Sequence, residues 1–250
     1  MILLERQDPS ALGRADAAWQ GDKEVVLAAV QEGGYALRHA SEELRADREV
    51  VLAAVGQAGS ALQYADATLK ADKEVVLAAV QKDGLALRDA SEELRADRDV
   101  VLAAVGEDGS ALESADATLK ADRDVVLAAV QQESYALRYA SEELRTDREV
   151  VMVAMRQDLG LLDDGSVSWD ADTFDFYQSV ATYGPVARSA MVDAGLPTAL
   201  FKAMLEDRDL AEDGSTLLRA LLGDRLVVPE LAAALNAIGQ ASPFKVHACA

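Results

Sequence analysis

One cysteine, two histidines and 5% aromatic residues are all that this 250-residue chain offers to most kinds of site chemistry. The lone thiol, Cys249, excludes an internal disulfide framework and any zinc cluster built on cysteine. His39 and His247 leave little material for a metal centre or for acid–base work. Cations are short as well: 24 Lys and Arg face 44 Asp and Glu, a net charge of −20. Such a charge repels phosphates at long range, which argues against nucleic acid and anionic membranes as partners. No run of about 18 apolar residues occurs, so no membrane span is expected. Met1-Ile2-Leu3-Leu4-Glu5-Arg6 lacks the basic lead and apolar stretch of a secretory signal, and the chain is expected to be soluble and intracellular. Half of the residues are hydrophobic, too many for a disordered acidic tail.

What the chain has instead is repetition. An Asp-basic-acidic-Val-Val string starts at Asp22, Asp47, Asp72, Asp97, Asp122 and Asp147, always 25 residues apart. Six units follow without insertion: 10–34, 35–59, 60–84, 85–109, 110–134 and 135–159. Units two, four and six share Ala-Ser-Glu-Glu-Leu-Arg, and units three and five share Ala-Asp-Ala-Thr-Leu-Lys, so the duplicated block is about 50 residues. Residues 1–9 read as part of a preceding unit. Residues 160–184 read as a degenerate seventh, with Asp172 and Gly184 in register with Asp47 and Gly59.

Each unit reads as two short helices. Asp47 precedes an apolar stretch, Val50-Val51-Leu52-Ala53-Ala54-Val55, with an acid at Glu49. An Asp there accepts from free backbone N–H groups and complements the helix dipole. Gly59 is expected to end this helix in the left-handed conformation. Leu62, Ala65 and Leu69 then mark one face of a second helix of about ten residues, with Ser60 as its cap. An alternative breaks at Ser41 or Asp66 and runs one longer helix through Asp47. Helices this short do not stand alone in water, so units must stack. The expected fold is an all-α solenoid of short helix pairs, with Ala53, Ala54, Ala78, Ala79, Ala103, Ala104, Ala128 and Ala129 allowing close approach.

The phrase Leu69-Lys70-Ala71-Asp72-Lys73-Glu74-Val75-Val76-Leu77-Ala78-Ala79-Val80, followed by Gly84, Ala86-Leu87 and Ala90-Ser91-Glu92-Glu93-Leu94, resembles the tandem repeat called domain of unknown function 4116. The resemblance implies a helical repeat and supplies no catalytic residue. Residues 185–250 read as further helices, opened by Pro185 and broken at Gly195-Leu196-Pro197. The phrase Ala194 to Leu200 there is similar to the helix entry of armadillo-type repeats.

Invariant columns should pack and variable columns can face a partner. The first, fourth and fifth positions of the unit are variable columns. They place Tyr35, Arg38, His39, Tyr64, Arg88, Tyr135, Arg138 and Tyr139 on one ridge. Tyr and Arg are favoured at binding hot spots. The other reading of these positions is solvated drift, with Tyr filling gaps between units. The repeated Asp22, Asp47, Asp72, Asp97, Asp122 and Asp147 read as helix caps, since six copies imply a role in every unit. Asp163, Asp164, Asp170, Asp172 and Asp175 do not match a calcium loop, because Phe174 and Asp175 stand where an acid and then Gly are needed. No phosphate loop, dinucleotide glycine set or nucleophile elbow occurs.

The function expected is a non-catalytic scaffold binding a basic or amphipathic protein partner along the ridge, without cofactor or metal. A spacer that contacts partners through its ends is the alternative, and an enzyme with its site in 160–250 is the remote one.

Overall fold

The computed structural model describes residues 12–13, 16–159, 171–193 and 217. Among the described residues every regular element is helical, and no helix is long and apolar enough to cross a membrane. Two compact units divide the chain, Met1–Leu144 and Arg145–Ala250.

The first unit is built on four-turn logic repeated every 25 residues. Its ten-residue helices are α2 (Lys23–Glu32), α4 (Arg48–Gln57), α6 (Lys73–Lys82), α8 (Arg98–Glu107) and α10 (Arg123–Gln132). One-turn helices precede them: α1 (Ala17–Gln20), α3 (Glu42–Arg45), α5 (Ala67–Lys70), α7 (Glu92–Arg95) and α9 (Ala117–Lys120). Between a long helix and the next short one lies a 3-10 turn: Gly34–His39, Gly59–Tyr64, Gly84–Asp89, Gly109–Ser114 or Ser134–Tyr139. Long helices stack on long helices and 3-10 turns on 3-10 turns, each contacting its sequence neighbour. That is a solenoid of 25-residue repeats.

The apolar face explains the stacking. Val50, Val51, Ala54 and Val55 of α4 are fully buried, as are Ala61 and Leu62 of the following turn, and the same six positions are buried in the next two units. A fully buried Val or Leu contributes about 1.5–3 kcal/mol. No other term in the unit is as large.

Two expectations are corrected. The second segment is not a ten-residue helix. Leu62 lies in the 3-10 turn and Leu69 in α5, with Ala65 extended between them (φ −67, ψ 155). The break is used twice: Asp66 caps α5 through Thr68 N–H, and its own N–H donates to Arg45 O of the preceding repeat at 2.9 Å. Ser60 therefore caps nothing and sits inside the turn. Ser41 and Asp66 do start helices, as the alternative required, yet no helix runs through Asp47, which is itself a cap.

The second correction concerns the helix exit. Ala58 ends α4 in an extended conformation (φ −144, ψ 110), and Gly59 has no positive φ. Gly59 is there for space. A Cβ on it would collide with the carbonyl O of Ala79 in the next repeat, and Gly34, Gly84 and Gly109 meet Ala54, Ala104 and Ala129 in the same way. Gly56 and Gly106 are a different case. They lie exposed near the ends of α4 and α8 with nothing within 4 Å of a built Cβ. Gln31, Gln81 and Gln131 occupy the same column. Gly56→Ala and Gly106→Ala should each stabilise the protein by about 0.5–1 kcal/mol, read as a raised urea midpoint.

The one-turn helix α11 (Glu142–Arg145) spans the boundary, and in the second unit α12 (Arg148–Leu159) and α13 (Ala171–Thr182) both pack on α14 (Pro185–Asp193). Met155, Tyr177, Val180, Ala187 and Met191 are buried there, and the Arg145 guanidinium lies 5.0 Å from the centre of the Tyr183 ring. Gly184 (φ 119) has the left-handed backbone that glycine tolerates, directly before Pro185 in the first turn of α14. The partial unit 1–9, Asp163, Asp164 and Asp170, the armadillo-like phrase 194–200, and His247 and Cys249 lie outside the described residues.

Candidate binding ridge and the repeat junctions

In each repeat the 3-10 turn turns Ala and Leu inward, while the first, fourth and fifth positions of the unit are exposed or half-buried. Ala36 and Leu37 are buried while Tyr35 and Arg38 are exposed; Ala136 and Leu137 are buried beside exposed Arg138. Stacking of the turns puts these positions in one row. The structure groups them into three patches.

The first patch joins two repeats. Tyr35 and Tyr64 meet edge to face at 6.4 Å, and the Tyr35 hydroxyl is 2.6 Å from Ser60 Oγ. Arg38 Nε donates to His39 Nε2 at 2.7 Å. Partial burial, and then the neighbouring Arg38, hold the His39 imidazole below its ordinary value, so it stays neutral and can accept. The His39 ring also closes on Gly13, where a Cβ would fall 2.6 Å from it. The middle patch is Arg88 with Asp89, 3.6 Å apart, beside exposed Leu85. In the third, Arg138 lies over both Tyr135 and Tyr139, at 4.6 and 5.4 Å from the ring centres, and donates to the Tyr135 hydroxyl. Burial, and then the Glu113 carboxylate, push the Tyr139 phenol above its ordinary value. The eight residues thus lie on one row, but Arg88 stands apart from both tyrosine groups.

The repeated aspartates sit at the junctions between repeats. In Asp22, Asp47, Asp72, Asp97, Asp122 and Asp147 alike, Oδ1 accepts from the second and third residues beyond it. At Asp47, Asp72, Asp97 and Asp122, Oδ2 also accepts from the repeat before. Lys23 Nζ reaches Asp47 at 2.7 Å and Glu49 at 2.9 Å. Arg48 bridges Asp72, at 3.1 Å, and Glu74. Lys73 bridges Asp97 and Asp99 at 2.7 and 3.3 Å, and Arg98 bridges Asp122 and Asp124 at 3.2 and 3.0 Å. Sequence reasoning missed this ladder, although its signal was present: a cation directly after each cap and an acid directly after the cation. Exposed pairs like these, screened by solvent, contribute little to stability. Against the buried valines they set register more than strength.

The lysine bond, above all, holds the carboxyls of Asp47 and Asp97 below their ordinary range, and at Asp72 the Val75 N–H does most of this. At Asp122 burial opposes the charge, and the Val125 N–H and Arg98 outweigh it. Among the described residues no three His, Cys, Asp or Glu side chains converge as a metal site.

One family model matches the chain, "Domain of unknown function (DUF4116)", at residues 22–70, 72–120 and 122–162. Together the three matches cover more than half of the sequence. The chain belongs to this family. The DUF4116 domain begins at a capping aspartate and, in its first copy, ends with α5, so one domain is two 25-residue repeats: the 50-residue block of the sequence. Neither a curated protein nor a solved structure matches the chain.

Proposed function

We propose that this repeat scaffold is non-catalytic, acts inside the cell, and binds an amphipathic protein segment along the row of 3-10 turns. The observation that carries the reading is the division of labour within the turn. Its Ala and Leu are spent on the stack, while the turn positions that differ between repeats stand in one line beside them. Tyr35 with Tyr64, and Tyr135 with Tyr139 around Arg138, supply rigid amphipathic contact area of the kind found at interface hot spots. The net charge of −20 favours a segment that also carries basic residues, through faster encounter and rejection of acidic competitors.

The test is capture from native extract with the intact chain and with a Tyr35→Ala, Tyr64→Ala, Tyr139→Ala variant, read by mass spectrometry. The variant should keep its helical signal and lose at least one protein that the intact chain retains. Identical capture by both would remove the ridge as the binding surface and leave contact through the ends of the array.

A further inference from the structure

The N-terminal end of the described array, at α1 and α2, differs from every other repeat in the first unit. Each one-turn helix carries a leucine at its third position: Leu44, Leu69, Leu94 and Leu119 are 7–8% exposed. In α1 the same position is Trp19, 46% exposed. The long helix behind it is also incompletely covered. Val25 and Ala29 are half-buried, whereas their counterparts Val50 and Ala54, Val75 and Ala79, Val100 and Ala104, and Val125 and Ala129 are fully buried.

The polar groups of this face also lack, among the described residues, the cross-repeat partners of the later junctions. Asp47, Asp72, Asp97 and Asp122 each receive a Lys or Arg from the preceding repeat, with the acid two residues on receiving the same cation. Asp22 and Glu24 form the same pair with no cation on them among the described residues. Ser41, Asp66, Ser91 and Asp116 donate their N–H to the carbonyl closing the previous one-turn helix, at 2.9 Å each. Asp16, in the same column, donates to no carbonyl among the described residues. Apolar, ionic and backbone positions that every later junction fills are thus open here together.

We propose that this face docks an amphipathic helix of a partner protein, with a Lys or Arg at the start of that helix seated between Asp22 and Glu24 and its Val/Leu side on Trp19, Val25 and Ala29. The four junctions within the array are the template for the contact. Charge selects the occupant. A second copy meeting face to face would set Asp22 and Glu24 against their own duplicates, whereas a cation-bearing helix completes the bridge already seen at Lys23, Arg48, Lys73 and Arg98. This surface is separate from the ridge, and neither the tyrosine variant nor its outcome bears on it.

The test uses the full chain and a synthetic peptide with the sequence of residues 72–96, one complete repeat that includes Lys73. Isothermal titration at low salt should show one saturable site. Lys73→Glu in the peptide, or Asp22→Asn with Glu24→Gln in the protein, should each weaken it by about threefold to fivefold, since Asn still caps α2. Trp19→Ala should weaken it by about tenfold. Four results overturn the proposal. One is an absence of binding. Another is binding that none of these substitutions changes. The third is binding that appears only after residues 1–9 are removed, which would make the chain's own N-terminal segment the occupant. Concentration-dependent dimerisation lost in the Asp22→Asn, Glu24→Gln variant would also overturn it, in favour of a second copy.

Discussion

Gly84→Ala should cost about 3 kcal/mol or more, although it adds a single methyl group, at the buried first residue of a 3-10 turn. The new Cβ would lie 2.5 Å from Ala104 O and 2.9 Å from the Asp108 Cβ, both in the next repeat. Neither can yield alone. Ala104 O belongs to the backbone of α8, and Asp108 is the extended residue through which α8 passes into its 3-10 turn. To admit the methyl, repeats must separate, and the layer that separates includes fully buried Val100, Val101, Ala104 and Leu87. In a nearest-neighbour array the damage stays at one junction. Thermal unfolding followed by circular dichroism should therefore show a lowered and broadened transition, with the repeats on either side melting more independently. Gly56→Ala, the same substitution in open space, should move the midpoint upward. Wild-type stability for Gly84→Ala would mean that the repeats do not approach as closely as Gly59, Gly84 and Gly109 imply.

That pair of glycines shows what was legible in the sequence and what was not. The period of 25, the apolar face and the capping aspartates were readable because each depends on residue type at fixed spacing. The role of Gly59 was not. A glycine following a helix most often signals a left-handed exit, and only the neighbouring carbonyl, 20 residues away in sequence, reveals a demand for space. The 3-10 turn was hidden for a related reason. Leu62, Ala65 and Leu69 satisfy helical spacing, but Asp66 N–H gains more by reaching Arg45 O across the junction than by continuing a local helix. Stacking aligns any column of a repeat, so spacing alone suggested a row for the ridge residues. Their grouping was not visible, because Tyr35 with Tyr64 and Tyr139 with Glu113 are contacts between repeats. Trp19 could have been found by alignment alone: it stands in a leucine column.

Stability should hold from neutral pH to about pH 5 and fall away below about pH 4, and the junction aspartates should be the cause. Asp47, Asp72, Asp97 and Asp122 all have folded values below the ordinary 3.8, as do Asp66 and Asp116, which are held down by Thr68 N–H and Thr118 N–H. Glu43 and Glu93 lie below 4.5 through their own N–H groups and then Ser41 and Ser91. A carboxyl whose folded value is depressed stabilises the fold fully above its unfolded value and loses that contribution as pH falls through the folded one. All eight therefore act in the same direction and in the same window. The net charge acts the other way. It is −20 at pH 7 and vanishes near the isoelectric point of 4.4, so self-repulsion has already been relieved before the caps protonate. The acid loss that follows is a loss of specific bonds. On the alkaline side Lys23 and Lys73, raised chiefly by Asp47 and Asp97, keep their contribution until pH rises through values above 10.5. Urea midpoints measured from pH 7 to pH 2 would trace this profile. Replacing Asp47, Asp72, Asp97 and Asp122 together by Asn keeps a cap on each helix and removes the titrating oxygen. That variant should start lower at pH 7, having lost the cation bridges, and then decline less steeply in acid. An acid limb as steep as that of the unaltered protein would assign the transition to carboxylates outside the junctions.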